Sequence, residues 1–321
     1  MTRIVNKLAP ALKAWLAEYL GLAAALVGLI IYFGIVTENF FTPVNFRTIA
    51  NQVSDTTIVA VGMTFVLIIA GIDLSVGSVM ALSAAVLGAC MVKFDLSLPL
   101  AITACLGVGI LCGLANGLIV ITWRLPPFIV TLAMLEIARG AAYLVTDSET
   151  MYIGGSIGVI AGSGLLIPFI TAVVIVALGQ LTLSRTVFGR YMVAIGTNEE
   201  AVRLSGIDPR PIKIGVFVLC GFLTSIAAVI STARMEAASP NDGVGLELRA
   251  IAAVVIGGTS LMGGRGSVIS SFFGVLIIAV LEAGLYQMGV EEPTKRIITG
   301  CIIVAAVILD YYRHRISTRR K

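Results

Sequence analysis

The sequence predicts an all-α membrane protein, a polytopic helix bundle of about ten transmembrane helices that includes broken helices. Hydrophobic residues make up 58% of the chain, charged residues only 12%, and the mean hydropathy is +1.02. Soluble domains carry about 25% charged residues, roughly twice as many. Long apolar runs also alternate with short polar segments along the whole chain. A run of about 20 apolar residues is long enough to cross a membrane as a helix.

Ten apolar runs are the predicted spans, and the eighth of them is too short to cross alone unless it is extended. They cover residues 16–36, 56–70, 79–92, 99–122, 128–146, 167–183, 214–233, 250–258, 268–288 and 297–309. The chain therefore divides into an N-terminus (1–15), a single transmembrane domain (16–312) and a basic tail (313–321).

The distribution of Lys and Arg predicts the orientation, because cytoplasmic segments are enriched in basic residues. With ten crossings and a cytoplasmic N-terminus, the inner segments hold 15 basic residues and the outer segments hold six. Both termini are then cytoplasmic, which requires an even number of crossings. Eight crossings remain an alternative if the glycine-broken segments are re-entrant.

The most polar internal stretch, residues 185–213, carries eight charged residues between two apolar runs. Its Thr197-Asn198-Glu199-Glu200 has the form of a capping box, in which Thr197 and Glu200 satisfy each other's amides. The pattern predicts a short helix that runs to about Ser205. Gly206 can adopt the left-handed stop, and Asp208-Pro209 prevents continuation. An ordinary solvated connector is the alternative reading of these residue types.

Two glycine-rich segments, GIDLSVGSV (71–79) and GGTSLMGGRGSV (257–268), each interrupt an apolar run. Interrupted helices at membrane depth are tolerated where the backbone is buried or lines a cavity. Asp73 and Ser75 are predicted to cap the helix that follows. Two interpretations remain open. Both segments are tight turns on the cytoplasmic side with capping residues, or both help to shape a central pathway or its gate. The candidates for the pathway or gate are Gly71, Asp73, Ser75, Gly77, Thr259, Ser260, Gly263 and Gly264.

Few charges lie within the predicted spans. Glu136 and Arg139 are three residues apart on one helix, so we expect them to form an intramembrane ion pair. Glu282 is the other carboxylate well inside a span. The three glycines Gly109, Gly113 and Gly117 lie on one helix face and predict close helix packing.

Several functions are disfavoured by what the sequence contains. The five cysteines fall in apolar runs without a CxxC pair, and the one histidine, His314, lies in the basic tail. The sequence therefore predicts no metal site, no catalytic residue and no cofactor. It has no G-x-x-x-x-G-K-[ST] phosphate loop, so the chain is not its own ATPase by that mechanism. Because the basic residues gather at segment ends, they do not predict nucleic-acid binding.

Three motifs carry a family resemblance: GIDLSVGS (71–78), GRYMVAIGTNEEAVRLSGI (189–207) and AIAAVVIGGTSLMGGRGSV (250–268). Together they resemble the permease subunit of ribose-type sugar ABC importers, in the branched-chain amino acid and sugar permease superfamily. The similarity runs from about residue 40 to residue 309. It implies that residues 185–213 are a cytoplasmic coupling loop whose helix docks on an ATPase. That role falls on Asn198, Glu199, Glu200, Ala201, Arg203, Leu204 and Gly206.

The resemblance also implies the function and the partners. The chain is expected to carry a monosaccharide, such as a pentose or hexose, across the bacterial inner membrane. The implied partners are cytoplasmic ABC ATPase subunits, a periplasmic sugar-binding protein and a second permease subunit, as a homodimer in the lipid bilayer. The alternatives are an ABC permease for a branched-chain amino acid or nucleoside, and an ion-coupled secondary transporter that would use Glu136 or Glu282.

Overall fold

The computed structural model of the protein describes residues 2–161, 166–291, 293–295, 297–302, 304–305 and 308. The predicted basic tail, 313–321, lies outside the described residues. The described chain consists of helices with one two-stranded ribbon, which confirms the all-α class. The helices are α1 (Thr2–Val36), α2 (Pro43–Ile68), α3 (Val76–Val92), α4 (Leu98–Thr122), α5 (Pro127–Thr146), α6 (Gly155–Ala161), α7 (Ile167–Arg185), α8 (Val187–Leu204), α9 (Arg210–Met235), α10 (Leu246–Ile256) and α11 (Val268–Gln287). The strands are β1 (Met151–Tyr152) and β2 (Ala237–Ala238).

The described residues do not confirm the predicted number of spans. Among the described residues, seven helices are long and apolar enough to cross a membrane: α1, α2, α4, α5, α7, α9 and α11. The apolar α3 has 17 residues, and α10 has 11. At about 1.5 Å per residue, α10 covers only half of a bilayer of about 30 Å. The predicted tenth span, 297–309, lies partly outside the described residues, so a total of ten is not confirmed.

The helix starts follow from local sequence. The Thr42 hydroxyl accepts a hydrogen bond from the Asn45 amide at 3.3 Å and caps α2, whose first residue is Pro43. A proline is also the first or second residue of α4, α5, α7 and α9. Proline is tolerated there because the first amides of a helix have no partner inside the helix.

The core is built around α2. This helix packs against α7, α9, α10 and α11, and its residues from Val53 to Ile68 are almost all buried. Large side chains such as Ile58, Phe65 and Phe217 fill the space between these helices. Because α2 is enclosed by the chain itself, the segment that follows it enters the protein interior and does not face lipid.

The glycine face of α4 packs directly on α9, in the way the sequence predicts. A Cβ on Gly109 would overlap the carbonyl oxygen of Gly221, and one on Gly113 would overlap that of Phe217. A Cβ on Gly117 would lie 3.0 Å from the Cα of Ile214. The missing side chains therefore let the two backbones touch along three successive turns.

The short ribbon marks one end of the bundle, called here the ribbon end. β1 pairs antiparallel with β2, with Met151 opposite Ala238, and both residues approach Gly88 near the end of α3. From β2 the chain runs along α3 until Gly243 meets Gly77, at the other end of that helix. Residues 239–245, called here the inner loop, therefore enter the bundle before α10 begins.

Candidate functional site

Residues 187–204 form two helices joined at Asn198. The Thr186 hydroxyl accepts a hydrogen bond from the Gly189 amide at 3.1 Å and caps the first helix. Asn198 has extended backbone angles, φ −163° and ψ 96°, and its side-chain oxygen accepts from the Ala201 amide at 2.9 Å. Asn198 therefore caps the second helix, residues 199–204, which we call the coupling helix.

The predicted cap, Thr197, is wrong by one residue. The Thr197 hydroxyl donates to the Val193 carbonyl at 2.7 Å, so it belongs to the end of the first helix. The Glu200 carboxylate accepts from Arg203 Nη2 at 2.8 and 2.9 Å, and not from the Thr197 amide. Asn and Thr are both favoured caps, so the residue types alone could not decide between the two neighbours.

The end of the coupling helix agrees with the sequence prediction. Gly206 has φ +83°, a left-handed conformation that glycine adopts without strain. Its amide donates to the Arg203 carbonyl at 3.0 Å, and the Ile207 amide donates to the Val202 carbonyl at 3.3 Å. These two bonds form a Schellman motif, which satisfies carbonyls at the helix end. The Asp208 carboxylate then accepts from the Arg210 amide at 3.0 Å, where α9 starts.

The coupling helix presents nearly all of its side chains to the outside of the chain. Within it only Val202 is buried. The seven predicted coupling residues are all exposed: Asn198, Glu199, Glu200, Ala201, Arg203, Leu204 and Gly206. Leu204 is 81% exposed, an unusual value for a leucine beside so many charges. Such a surface is available to a partner protein.

One ion pair fixes the coupling helix to the bundle. Glu199 lies 3.0 Å from Lys213, which is on α9 and is 15% exposed in its side chain. The pair Glu200–Arg203 is 62% exposed on both sides and lies within the helix, at 2.8 Å. An open cavity of about 610 Å³ lies alongside, between the coupling helix and the α4–α5 turn at Arg124. The cavity and the helix together form a continuous surface that carries both charged and apolar side chains.

The second glycine-rich break meets residues 68–70, just before the first break, beside the residues that precede the coupling helix. The Gly264 amide donates to the Ile68 carbonyl at 2.8 Å, which joins the second break to the end of α2. Gly196 rests on this bond, because a Cβ there would overlap Ile68 O and lie 2.5 Å from Gly264 N. Gly263 approaches Ala70 in the same place. Backbone therefore touches backbone, with no side chain between Gly196 of α8 and either the end of α2 or the second break.

The second break is a tight turn with buried hydroxyls. The Ser260 amide donates to the Arg265 carbonyl at 3.0 Å, and Gly263 and Gly264 have φ of +82° and +73°. Thr259 and Ser260 are buried. Thr259 Oγ1 lies 3.4 Å from Ser271 Oγ, which accepts a hydrogen bond from Thr64 at 2.8 Å. These hydroxyls link α2, the break and α11 inside the protein.

The first break is held by a buried polar network. Asp73 Oδ1 accepts from the Ser75 amide at 2.9 Å and from the Ser75 hydroxyl at 2.6 Å. Asn116 Nδ2 on α4 donates to Ser75 Oγ at 3.0 Å. The prediction that Ser75 caps the following helix with its side chain is wrong, because α3 has no side-chain cap bond. Its hydroxyl instead joins Asp73 to α4.

Replacing Asp73 with Ala is expected to destabilise the protein. The substitution leaves the Ser75 amide without its acceptor at a site where Asp73 is 3% exposed. Leaving a buried donor unsatisfied costs about 1–3 kcal/mol, and the free energy of unfolding should fall by this amount. Thermal unfolding in detergent measures the loss, and Asp73→Asn, which keeps an acceptor oxygen, should lose less. A change in sugar preference at unchanged stability would contradict this structural role.

The predicted ion pair between Glu136 and Arg139 is not formed in the structure. Arg139 Nη1 instead donates to the carbonyls of Pro240 and Asp242, at 2.5 and 2.9 Å. On the next turn of α5, the Tyr143 hydroxyl donates to Asn241 at 2.6 Å. The physical reason is competition: the carbonyls of Pro240 and Asp242 in the inner loop are strong acceptors for this half-buried guanidinium. Arg139 therefore anchors the inner loop inside the bundle.

A polar cavity of about 910 Å³ opens between α2, α10 and α11. Its wall includes the ion pair between Asp55 and Arg234, at 2.9 Å, and Arg234 also donates to the Asn51 carbonyl at 2.8 Å. Asp242 of the inner loop lines the same cavity. None of the eight predicted pathway or gate residues lines this cavity or the one beside the coupling helix. The structure places those eight at packed helix breaks.

Sequence reasoning missed the inner loop as a structural element. The signal was present in Ser239-Pro240-Asn241-Asp242-Gly243, a polar turn-rich run just before a short apolar run. Gly243 and Gly245 have φ of +70° and +76°, which such a run allows. The part of the chain that the structure describes contains no group of three or more His, Cys, Asp or Glu residues that could hold a metal ion.

Comparison with known proteins gives consistent matches over most of the chain. The family of branched-chain amino acid transport system permease components matches residues 45–307. The ribose import permease protein RbsC of Escherichia coli K12 is 41% identical over 93% of this chain and 95% of its own length. RbsC of Bacillus subtilis 168 is 38% identical, over 91% of this chain and 92% of its own. The fructose import permease protein FrcC of Rhizobium meliloti is 34% identical, over 90% and 84%. No solved structure gives a significant match.

Proposed function

We propose a function from the premise that this chain belongs to the family of branched-chain amino acid transport system permease components. It is the permease subunit of an ABC importer and carries a monosaccharide across the bacterial inner membrane. One observation carries this conclusion: relatives that match over nine tenths of the chain are named for the import of ribose and fructose. From these names we infer that the solute is a sugar of pentose or hexose size.

The permease is not an ATPase itself and works with partner subunits. An ABC importer needs cytoplasmic ATPase subunits to supply energy and a periplasmic binding protein to deliver the solute. We propose further that two copies of the chain form the membrane unit, with both termini in the cytoplasm. The excess of Lys and Arg in the segments on the coupling-helix side supports that orientation.

The coupling helix is proposed to receive the movement of the ATPase. Its exposed residues supply the docking surface, and Asn198 joins it to the bundle through extended backbone. Displacement of this helix acts on Gly196, which contacts the Ile68 carbonyl and the Gly264 amide without an intervening side chain. Both breaks would then move together. Because packed interfaces have discrete arrangements, such a shift favours a switch between outward-open and inward-open states.

Contacts between the permease and the sugar should be weak in this mechanism. A tight site would hold the solute and slow its release, so recognition belongs mainly to the binding protein. Hydroxyl and amide side chains in the cavity between α2, α10 and α11, such as Asn45, Thr48 and Gln52, suit a polyhydroxylated solute, because each can donate or accept a hydrogen bond. Transport then proceeds by alternating access, in which ATP shifts the population of the two states.

Reconstitution tests this function. The chain is placed in liposomes with its ATPase and binding protein, and uptake of labelled D-ribose and D-fructose is measured with and without ATP. We expect uptake of at least one sugar to require hydrolysable ATP and to persist when an ionophore removes the proton and sodium gradients. Uptake that follows an ion gradient without ATP would instead show a secondary transporter and would refute the proposal.

A further inference from the structure

The cavity beside the coupling helix carries more positive than negative charge. Its volume of about 610 Å³ lies within the range of about 300 to about 1,000 Å³ that is typical of ligand sites. The charged residues that line it are four basic ones, Arg124, Arg203, Arg210 and Lys213, and two acidic ones, Glu199 and Asp208. The cavity therefore favours an anionic ligand.

Both acidic residues already have partners within the chain. The Glu199 carboxylate lies 3.0 Å from Lys213 Nζ, so these two charges offset each other. Asp208 Oδ1 accepts a hydrogen bond from the Arg210 amide at 3.0 Å, at the start of α9. The positive end of the helix dipole stabilises a carboxylate at that position. Neither carboxylate is bound to a guanidinium group of this cavity.

Two arginines of the cavity have no counter-ion. Arg203 is paired with Glu200 at 2.8 Å, but the guanidinium groups of Arg124 and Arg210 make no hydrogen bond or ion pair with any residue that the structure describes. Both side chains are exposed. Arg124 belongs to the α4–α5 turn, and Arg210 is the first residue of α9. Two separate elements thus bring unpaired positive charge to one cavity.

The α4–α5 turn lies where the helices leave the membrane. The helix α4 ends at Thr122, and the next residue, Trp123, is 66% exposed. Leu125 and Phe128 are also exposed. Tryptophan is enriched at the level of the lipid headgroups, because its ring is apolar and its N–H needs a polar partner. The unpaired arginines are therefore at headgroup level, on the same side of the membrane as the coupling helix.

We propose that this cavity binds the phosphate group of an anionic phospholipid from the cytoplasmic leaflet. The inference rests on the proposed function, because that function places the coupling helix in the cytoplasm. Arginine binds phosphate through two parallel hydrogen bonds, and basic pockets at the cytoplasmic ends of transmembrane helices suit anionic headgroups. Arg124 and Arg210 hold the phosphate, and the apolar wall at Val120, Ile121 and Leu125 contacts the acyl chains. A water-soluble phosphate would leave that wall uncovered.

The bound lipid connects the α4–α5 turn to the start of α9. The coupling helix ends at Leu204, and residues 205–209 alone separate it from Arg210. A phosphate held by both arginines therefore restrains the segment that joins the coupling helix to the bundle. The lipid supports the position of the coupling helix without lying on its exposed docking residues.

Quenching of Trp123 fluorescence by brominated lipids measures this binding. The chain has two tryptophans, so Trp15→Phe leaves Trp123 as a single reporter beside Arg124. The full chain is placed in nanodiscs that contain increasing fractions of dibrominated phosphatidylglycerol or dibrominated phosphatidylcholine. The dependence of quenching on lipid fraction gives the relative binding constants. We expect a preference of about tenfold for phosphatidylglycerol, because two arginines attract its net negative charge.

Paired variants test whether the cavity causes this preference. Arg124→Gln with Arg210→Gln removes both unpaired charges and should lower the preference to about twofold or less. The matched control, Arg185→Gln with Arg190→Gln, removes two exposed arginines that do not line the cavity and should keep most of the preference. Thermal unfolding in phosphatidylcholine nanodiscs should be the same for both variants, because every substituted side chain is exposed.

Glycerol 3-phosphate tests whether a soluble phosphate occupies the same arginines. It is added at millimolar concentration and compared with sodium chloride at equal ionic strength, which corrects for screening. We expect it to leave the quenching by phosphatidylglycerol unchanged, since it has no acyl chain to cover the apolar wall. Relief of quenching would assign the cavity to a soluble phosphate and would overturn the lipid as its source.

Two further results would overturn the inference. One is a preference for phosphatidylglycerol that survives Arg124→Gln with Arg210→Gln. The other is equal quenching by the two lipids, and weaker ATPase binding by the same variant would then assign both arginines to the ATPase interface. The quenching measurements use neither sugar nor ATP. ATP-dependent uptake by the unmodified importer is measured separately, so failure of the lipid site can be distinguished from failure of the sugar-permease function.

Discussion

Exchanging the charges of Glu200 and Arg203, as Glu200→Lys with Arg203→Glu, is expected to abolish ATP-driven uptake while the chain still inserts and folds. The exchange keeps an oppositely charged pair three residues apart, in place of the present 2.8 Å pair. An exposed pair of this kind contributes at most about 1 kcal/mol, so the helix should survive. What changes is the surface shown to the ATPase. Like charges brought together across a docked interface cost several kcal/mol, which corresponds to a loss of at least about a hundredfold in affinity.

The matched control for this exchange is the neutral variant Glu200→Gln with Arg203→Gln. It also removes the native pair but places no like charges against the partner, so uptake should fall only a few-fold. Uptake, ATPase stimulation and the amount of folded protein in the membrane are measured for both variants. Normal uptake with normal stimulation in the charge-exchanged chain would mean that this helix does not receive the ATPase.

The start of the coupling helix shows how far local sequence can predict a site. The polar run 197–200 between apolar segments correctly indicated a capped helix, and Gly206 correctly indicated its end. The residue that caps it could not be predicted, because Thr197 and Asn198 have similar capping preferences. A tertiary contact decides which of the two residues is the cap. Gly196 packs against Ile68 and Gly264, and this contact keeps Thr197 in the preceding helix.

Arg139 shows where local reasoning stops. The spacing of Glu136 and Arg139 satisfies the rule for helical ion pairs, and nothing nearby in the sequence argues against it. The competing acceptors belong to Pro240 and Asp242, about a hundred residues later. Only the three-dimensional path of the inner loop brings them to α5. Apolar periodicity predicted most of the helices, but it carries no information about which polar groups meet across the bundle.

Gly196→Ala is expected to impair transport more than any other single methyl addition near the coupling helix. The new Cβ would overlap the Ile68 carbonyl oxygen and lie 2.5 Å from Gly264 N, two atoms that now share a 2.8 Å hydrogen bond. Neither is the flexible end of a side chain, so the backbone of one break or of α8 must move. Overpacking of this kind costs about 1–3 kcal/mol. Alanine favours a helix over glycine by about 1 kcal/mol, which offsets only part of that cost.

The same substitution at Gly107 is the control. Gly107 lies in the middle of α4, and a Cβ there would meet no atom within 4 Å. Only the helix preference acts at this position, so Gly107→Ala should raise the free energy of unfolding by up to about 1 kcal/mol and leave uptake unchanged. Gly196→Ala should lower the unfolding free energy and lose most of its ATP-driven uptake, because α8 can no longer rest on the end of α2 and on the second break. If both variants transported sugar at the normal rate, movement would have to reach the breaks by another route than the backbone contact at Gly196.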